Sequence, residues 1–135
     1  MRKPNPFKKL LNGCKVNGRR RLLYNGEQPK VLISEEDLKQ IWIEQSGNCF
    51  WFGVPLDLGL LFNTHPEWFP IHPMAPSIDR KDDKGEYIKE NIVICCRFAN
   101  LGRCLYPFDK TKRMIQTLKG EYVQPTQPTL EDFLS

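Results

Sequence analysis

The sequence predicts an α+β fold, and two stretches carry that prediction. Residues Pro76 to Asn100, PSIDRKDDKGEYIKENIVICCRFAN, pass from a short, partly apolar strand through a charged, glycine-terminated turn at 81–85. They continue into the β-branched run Ile92–Cys96 and then into a helical segment from Arg97. Upstream, Leu38, Ile41, Trp42 and Gln45 repeat at helical spacing behind Ser34, with Asp37 three residues after it as in a capping signature. In the first stretch Asp79 closes one strand, Asn91 opens the next and Asn100 projects from the helix. Three polar side chains at such junctions can converge on one point.

A chain of 135 residues fits one domain with a single modest core. It divides into a basic N-terminal segment (1–30), a folded domain (31–120) and a flexible C-terminal tail (121–135). Net charge is +4 but uneven: residues 1–30 hold nine Lys/Arg against Glu27 alone, a local +8 that leaves −4 for the rest. Such asymmetry points to a polyanionic partner, with DNA the first candidate, and a solvated basic tail is the plainer reading. No run reaches the roughly 18 apolar residues that span a membrane, and the N-terminus lacks a signal peptide's apolar core. These features predict a soluble, intracellular protein with no membrane partner. The five cysteines lack the spacing of a secreted disulfide framework, so reduced thiols are expected.

In chain order, Pro4, Pro6, Gly13, Gly18, Gly26 and Pro29 punctuate the first 30 residues and predict short irregular structure. There Arg19, Arg20 and Arg21 precede Leu22, Leu23 and Tyr24, placing guanidinium forks suited to phosphate beside an apolar anchor; Lys8 and Lys9 can join the same surface. The helix from Ser34 follows, with Gly47 placed to end it and its apolar face assigned to the core. Asn48–Leu61, broken by Gly53, Pro55 and Gly59, reads as a short hairpin or strand–turn pair. The loop after it carries His65 and His72, each before a proline; His65 is a surface residue, and His72, seven residues before Asp79, is a candidate site residue. After Asn100 the helix runs to about Cys104, and its Arg103 joins Arg19, Arg20 and Arg21 as a candidate nucleic-acid contact. A second helix over Asp109–Leu118 buries Phe108, Ile115 and Leu118 and exposes Lys110, Lys112, Arg113 and Lys119. The tail QPTQPTLEDFLS is predicted flexible, with Leu130, Phe133 and Leu134 able to dock on the core or on a partner.

These elements resemble the HNH endonucleases of the ββα-metal fold, above all the small phage-type members. The likeness rests on Gln45-Ser46-Gly47-Asn48-Cys49, Gly53-Val54-Pro55-Leu56, Ser77-Ile78-Asp79-Arg80, Gly85-Glu86-Tyr87, Asn91-Ile92-Val93 and Cys96-Arg97-Phe98-Ala99-Asn100, and spans residues 34 to about 104. The resemblance implies a metal-dependent DNA endonuclease acting in the cytoplasm of a phage-infected host. It implies Asp79 and Asn100 as ligands of one divalent cation, Mg²⁺ or Mn²⁺, whose preference for oxygen they suit. Asn91 matches the family's middle asparagine, which fixes the loop and orients the base.

Two departures qualify the likeness. Arg80 stands where the family's general base, a histidine, is usual, and guanidinium cannot take a proton from water near neutral pH. Arg80 is therefore expected to clamp phosphate or to pair with a carboxylate, and the water to be activated by His72, Asp82 or the metal, with His72 favoured. Many relatives also hold structural zinc between two Cys-x-x-Cys pairs. Here Phe52 and Ala99 occupy the partner positions of Cys49 and Cys96, so structural zinc is not expected. The alternative to an endonuclease is a nucleic-acid-binding module on the same scaffold that has lost catalysis. A small interaction protein using its proline-rich tail is a third reading.

Overall fold

The computed structural model describes residues 4–20, 26–62, 71–103, 106–121 and 128–134, the side chains of 17–20 excepted. The elements run α1 (Pro6–Arg20), α2 (Glu35–Glu44), a 3₁₀ turn (Leu58–Leu61), β1 (Pro76–Arg80), a 3₁₀ turn (Lys89–Asn91), β2 (Ile92–Cys96), α3 (Arg97–Arg103), α4 (Phe108–Leu118) and α5 (Leu130–Leu134). This is an α+β arrangement, as the pattern of the sequence predicts. Among the described residues no helix is long and apolar enough to cross a membrane.

α1 replaces the irregular segment expected before Lys30. Asn5 caps it through Oδ1, which accepts from the amides of Phe7 and Lys8 at 3.1 Å each, and Pro6 takes the first helical position, where no amide is needed. Phe7, Leu10, Leu11 and Cys14 then recur on one face, with Leu10 and Cys14 buried in the core and Phe7 and Leu11 packed against it. Burial of roughly 1.5–3 kcal/mol per large apolar side chain outweighs the roughly 1 kcal/mol that Gly13 costs inside a helix. α2 forms as its cap predicts: the Ser34 hydroxyl accepts from the Asp37 amide at 3.1 Å, and the Asp37 carboxylate accepts from the Ser34 amide at 2.9 Å.

After α2 the chain folds into a tight knuckle. Gly47 and Gly53 adopt left-handed backbone (φ 69° and 71°), and the Cys49 amide donates to the Val54 carbonyl while that of Gly53 donates to Cys49. An isolated bridge pairs Asn48 with Pro55, so the predicted hairpin is present in rudimentary form. Gln45 joins this knuckle to the sheet: its Nε2 donates to the carbonyls of Asn48 and Ile94, and its Oε1 accepts from the Ile94 amide at 2.9 Å.

β1 and β2 are antiparallel, with Ser77 opposite Cys95, Asp79 opposite Val93 and Arg80 opposite Ile92. Every residue of β2 is buried, and the chain enters α3 with no intervening loop. The first amides of α3 are satisfied in turn: Arg97 donates to Ala75 and Phe98 to Pro73, both at 2.9 Å, and Ala99 to Cys96 Sγ at 3.4 Å. α4 begins at Phe108, as predicted within a residue, but Leu118 is 74% exposed rather than buried. Leu130, Phe133 and Leu134 of α5 are likewise exposed.

Candidate functional site

Alternation along β1 sorts its polar residues. Ser77 and Asp79 face one side of the sheet, and Ile78 and Arg80 face the other. α3 covers the first side: its Asn100 donates through Nδ2 to Ser77 Oγ (2.7 Å) and to the Ile78 carbonyl (3.2 Å), and Arg103, three residues on, reaches Asp79. Strand and helix thus bring Asp79 and Asn100 to the same β1–α3 interface, the pair that the sequence singles out.

Asp79 is 8% exposed, and two donors share its Oδ2: the Trp51 indole at 3.0 Å and an Arg103 Nη1 at 2.8 Å. Arg103 is itself 5% exposed. Its guanidinium also donates to the carbonyls of Arg80, Lys81 (2.5 Å) and Tyr106 (3.2 Å) and lies 5.4 Å from the Trp51 ring centroid. An arginine expected among the surface phosphate contacts is therefore an internal strut. All three of its nitrogens are engaged, in four bonds to one carboxylate and three carbonyls. Sequence alone held no signal for this role, because three of its four acceptors lie 22 to 24 residues away.

Arg80 differs from its expected role as well. Buried to 5% exposure on the opposite face, it donates to the Gly85 carbonyl at 2.8 Å and stacks over Tyr87 at 4.8 Å. Those contacts close the turn between the strands, where no phosphate bound beside Asp79 would meet it. No carboxylate pairs with it among the described residues; the salt bridges there are Arg103–Asp79 and Lys89–Glu44.

Asn91 holds that same turn. Its Oδ1 accepts from the Asp82 amide at 2.9 Å, and its Nδ2 donates to the carbonyls of Asp82 (3.0 Å) and Glu86 (2.9 Å). Gly85 is required beside it, since a Cβ there would lie 2.8 Å from Asn91 Nδ2. Asp82 is exposed and caps the turn by accepting from the Lys84 amide. The His72 Nδ1 accepts from the Met74 amide at 3.0 Å, which in the neutral ring leaves the proton on Nε2. His72 stands four residues before β1, which opens at Pro76. The structure therefore brings together Asp79 and Asn100, sets Asn91 in the adjoining turn, and gives Arg80, His72 and Arg103 structural partners.

No family model matches this chain, and no curated protein or solved structure does either.

Among those described, no three His, Cys, Asp or Glu side chains gather as a metal-binding group. A cation at the β1–α3 interface would rest on two oxygens. Asn100 is anchored through Nδ2, so Oδ1 is the atom it can offer. Asp79 has Oδ2 committed to Trp51 and Arg103, so Oδ1 is its remaining donor. One carboxylate and one amide oxygen, with water completing the shell, suit a hard divalent ion. Arg103 already balances the carboxylate charge, which lowers the affinity such a pair can reach. Exposed basic residues line two helices: Lys8, Lys9 and Lys15 on α1, and Lys110, Lys112, Arg113 and Lys119 on or just beyond α4. Arg19 and Arg20 end α1 with side chains outside the described residues, as do Arg21, His65 and Cys104 entirely.

Proposed function

We propose that this chain is a DNA endonuclease of the HNH type, its β1–β2–α3 unit a ββα-metal core acting on a phosphodiester. The observation that carries the reading is the shared interface of Asp79 and Asn100, each with one carboxamide or carboxylate oxygen left uncommitted. A divalent ion, when bound, supplies Lewis acidity at the phosphodiester. The chain's own residues prepare that site. Asn100 is fixed in rotamer by Ser77 and Ile78, Trp51 shields one side of the Asp79 carboxylate, and Asn91 and Arg80 hold the turn that follows β1. The exposed lysines of α1 and α4 supply sequence-independent contacts to the DNA backbone.

A specific observation favours a second reading, a nucleic-acid-binding module without catalysis. The residue after Asp79 is turned to the other face, and the Asp79 charge is already paired. Plasmid nicking with and without Mg²⁺, beside a binding assay on the same DNA, separates the two. The test variant is Asp79→Asn, which keeps an acceptor for Trp51 and Arg103. Endonuclease function requires Mg²⁺-dependent nicking by the wild type and its loss in Asp79→Asn and Asn100→Ala with circular dichroism unchanged. Binding with no nicking selects the module, and neither binding nor nicking rejects both.

A further inference from the structure

Away from the β1–α3 interface, the knuckle after α2 and the end of β2 bring two thiols into contact. Cys49 and Cys96 lie 47 residues apart in sequence, yet a sulfur–sulfur hydrogen bond of 3.9 Å joins them. Backbone amides point at both sulfurs: that of Cys96 donates to Cys49 Sγ and that of Ala99 to Cys96 Sγ, each at 3.4 Å. Phe52 and Ala99, three residues after each cysteine, offer no ligand atom, and among the described residues no third Cys, His, Asp or Glu joins the pair to hold zinc. What remains is a dithiol with donors arranged to hold negative charge on sulfur.

The two thiols are unequal. The bond from Cys96, reinforced by backbone amides, brings the Cys49 thiol down to about 6 against the pull of burial, while Cys96 is pushed up as the partner that keeps the proton. One is a nucleophile at neutral pH and the other a proton-bearing resolving thiol. Cys14 and Cys95 are held up by burial and remain protonated. Both sulfurs are nearly buried, Cys49 at 2% and Cys96 at 1% exposure, and a small oxidant reaches the pair from the Cys96 side, where Cys96, 3.9 Å from Cys49, lines a surface cavity of about 460 Å³ with Phe52, Val54, Pro73, Met74 and Phe98.

We propose that Cys49 and Cys96 form an oxidisable dithiol that a small hydroperoxide converts to a disulfide tying the knuckle to the β2–α3 junction. The Cys49 thiolate attacks the hydroperoxide, forming an S–O bond as the O–O bond breaks and releasing an alcohol, or water from hydrogen peroxide itself. Cys96 then attacks the Cys49 sulfenic acid: the S–S bond forms, the S–O bond breaks, and hydroxide leaves with the Cys96 proton as water. Two thiols are oxidised and one hydroperoxide is reduced.

The test is stoichiometric hydrogen peroxide on the full chain, followed by intact mass and non-reducing peptide mapping. The expected result is loss of two hydrogen atoms, one cross-linked peptide joining Cys49 to Cys96, and reversal by dithiothreitol. Closing a loop of this length should also raise the Tm by on the order of 10 °C. Cys49→Ser and Cys96→Ser should each abolish both changes, and Cys104→Ser should leave them intact. A cross-link through other cysteines, or oxygen uptake with no S–S bond, overturns the proposal. Should a serine variant lose its fold by circular dichroism, the wild-type peptide map decides alone.

Discussion

Replacing Arg103 with alanine should unfold this protein at much lower denaturant than any surface substitution. The guanidinium satisfies the Asp79 carboxylate at 2.8 Å and three backbone carbonyls, and the ion pair's side chains are only 3% and 10% exposed. Removing one partner of a buried pair strands the other charge and typically costs about 3–5 kcal/mol. Against a total stability of roughly 5–15 kcal/mol, that is about a fifth or more of what holds the fold. With a urea m-value near 2 kcal/mol/M, the midpoint should fall by about 2 M. Arg103→Lys keeps the charge but reaches fewer of the four acceptors, so its midpoint should lie between wild type and Arg103→Ala. Equilibrium urea unfolding followed by Trp fluorescence reads the effect directly, since Trp51 shares the Asp79 oxygen. A loss below about 1 kcal/mol in Arg103→Ala would show that the carboxylate and carbonyls find water instead, and would refute the strut.

Further expectations follow from the turn, the thiols and the basic helices. Asn91→Ala removes three hydrogen bonds from the turn after β1 and should cost about 2 kcal/mol by the same unfolding assay. Gly85→Ala, which forces a Cβ to 2.8 Å from Asn91 Nδ2, should destabilise and should be milder in the Asn91→Ala background, where that atom is gone. Cys49 ionises more readily in the fold than its ordinary 9.0, so its contribution is fully present above about pH 9 and is lost as pH falls through about 6. Unfolding midpoints should therefore rise from pH 6 toward pH 9, and Cys49→Ser should flatten that rise. If four to six lysines contact DNA phosphates, affinity should fall about 10²- to 10³-fold between 50 and 200 mM salt. A flat salt response in a mobility-shift titration would remove DNA as the partner of these helices.

Where cause and effect are local, the sequence was a good guide. The Ser34–Asp37 box forms as written, and Asn91 sits at the turn it was expected to fix. α1 is masked in the sequence because Pro6 and Gly13 are breakers in most contexts. The competing signal, Phe7, Leu10, Leu11 and Cys14 at helical spacing, was there to be counted, and Pro6 favours a helix at its first position. The inward turn of Arg80 was legible as well, since neighbours on a strand must face opposite sides and Asp79 was already assigned to one. The roles of Gln45, Trp51 and Arg103 were not. Each is defined by a partner 24 to 49 residues distant, and no local period encodes that distance.

The engagement of Asp79 changes how its chemistry has to be tested. A truncation such as Asp79→Ala would remove the acceptor of both Trp51 and Arg103, leaving an unpaired guanidinium with three carbonyl contacts in the interior. Lost activity in that variant would say as much about folding as about catalysis. Asparagine keeps one oxygen for the two donors and removes the anionic charge, so it separates the tasks: stability should fall modestly, while binding of a divalent ion at this carboxylate should fall steeply. If Asp79 serves only the Arg103 strut, then Mg²⁺ should leave the unfolding midpoint of the wild type where it was. If the carboxylate also holds the ion, Mg²⁺ should raise the midpoint of the wild type and not of Asp79→Asn, by the linkage that stabilises whichever state binds ligand.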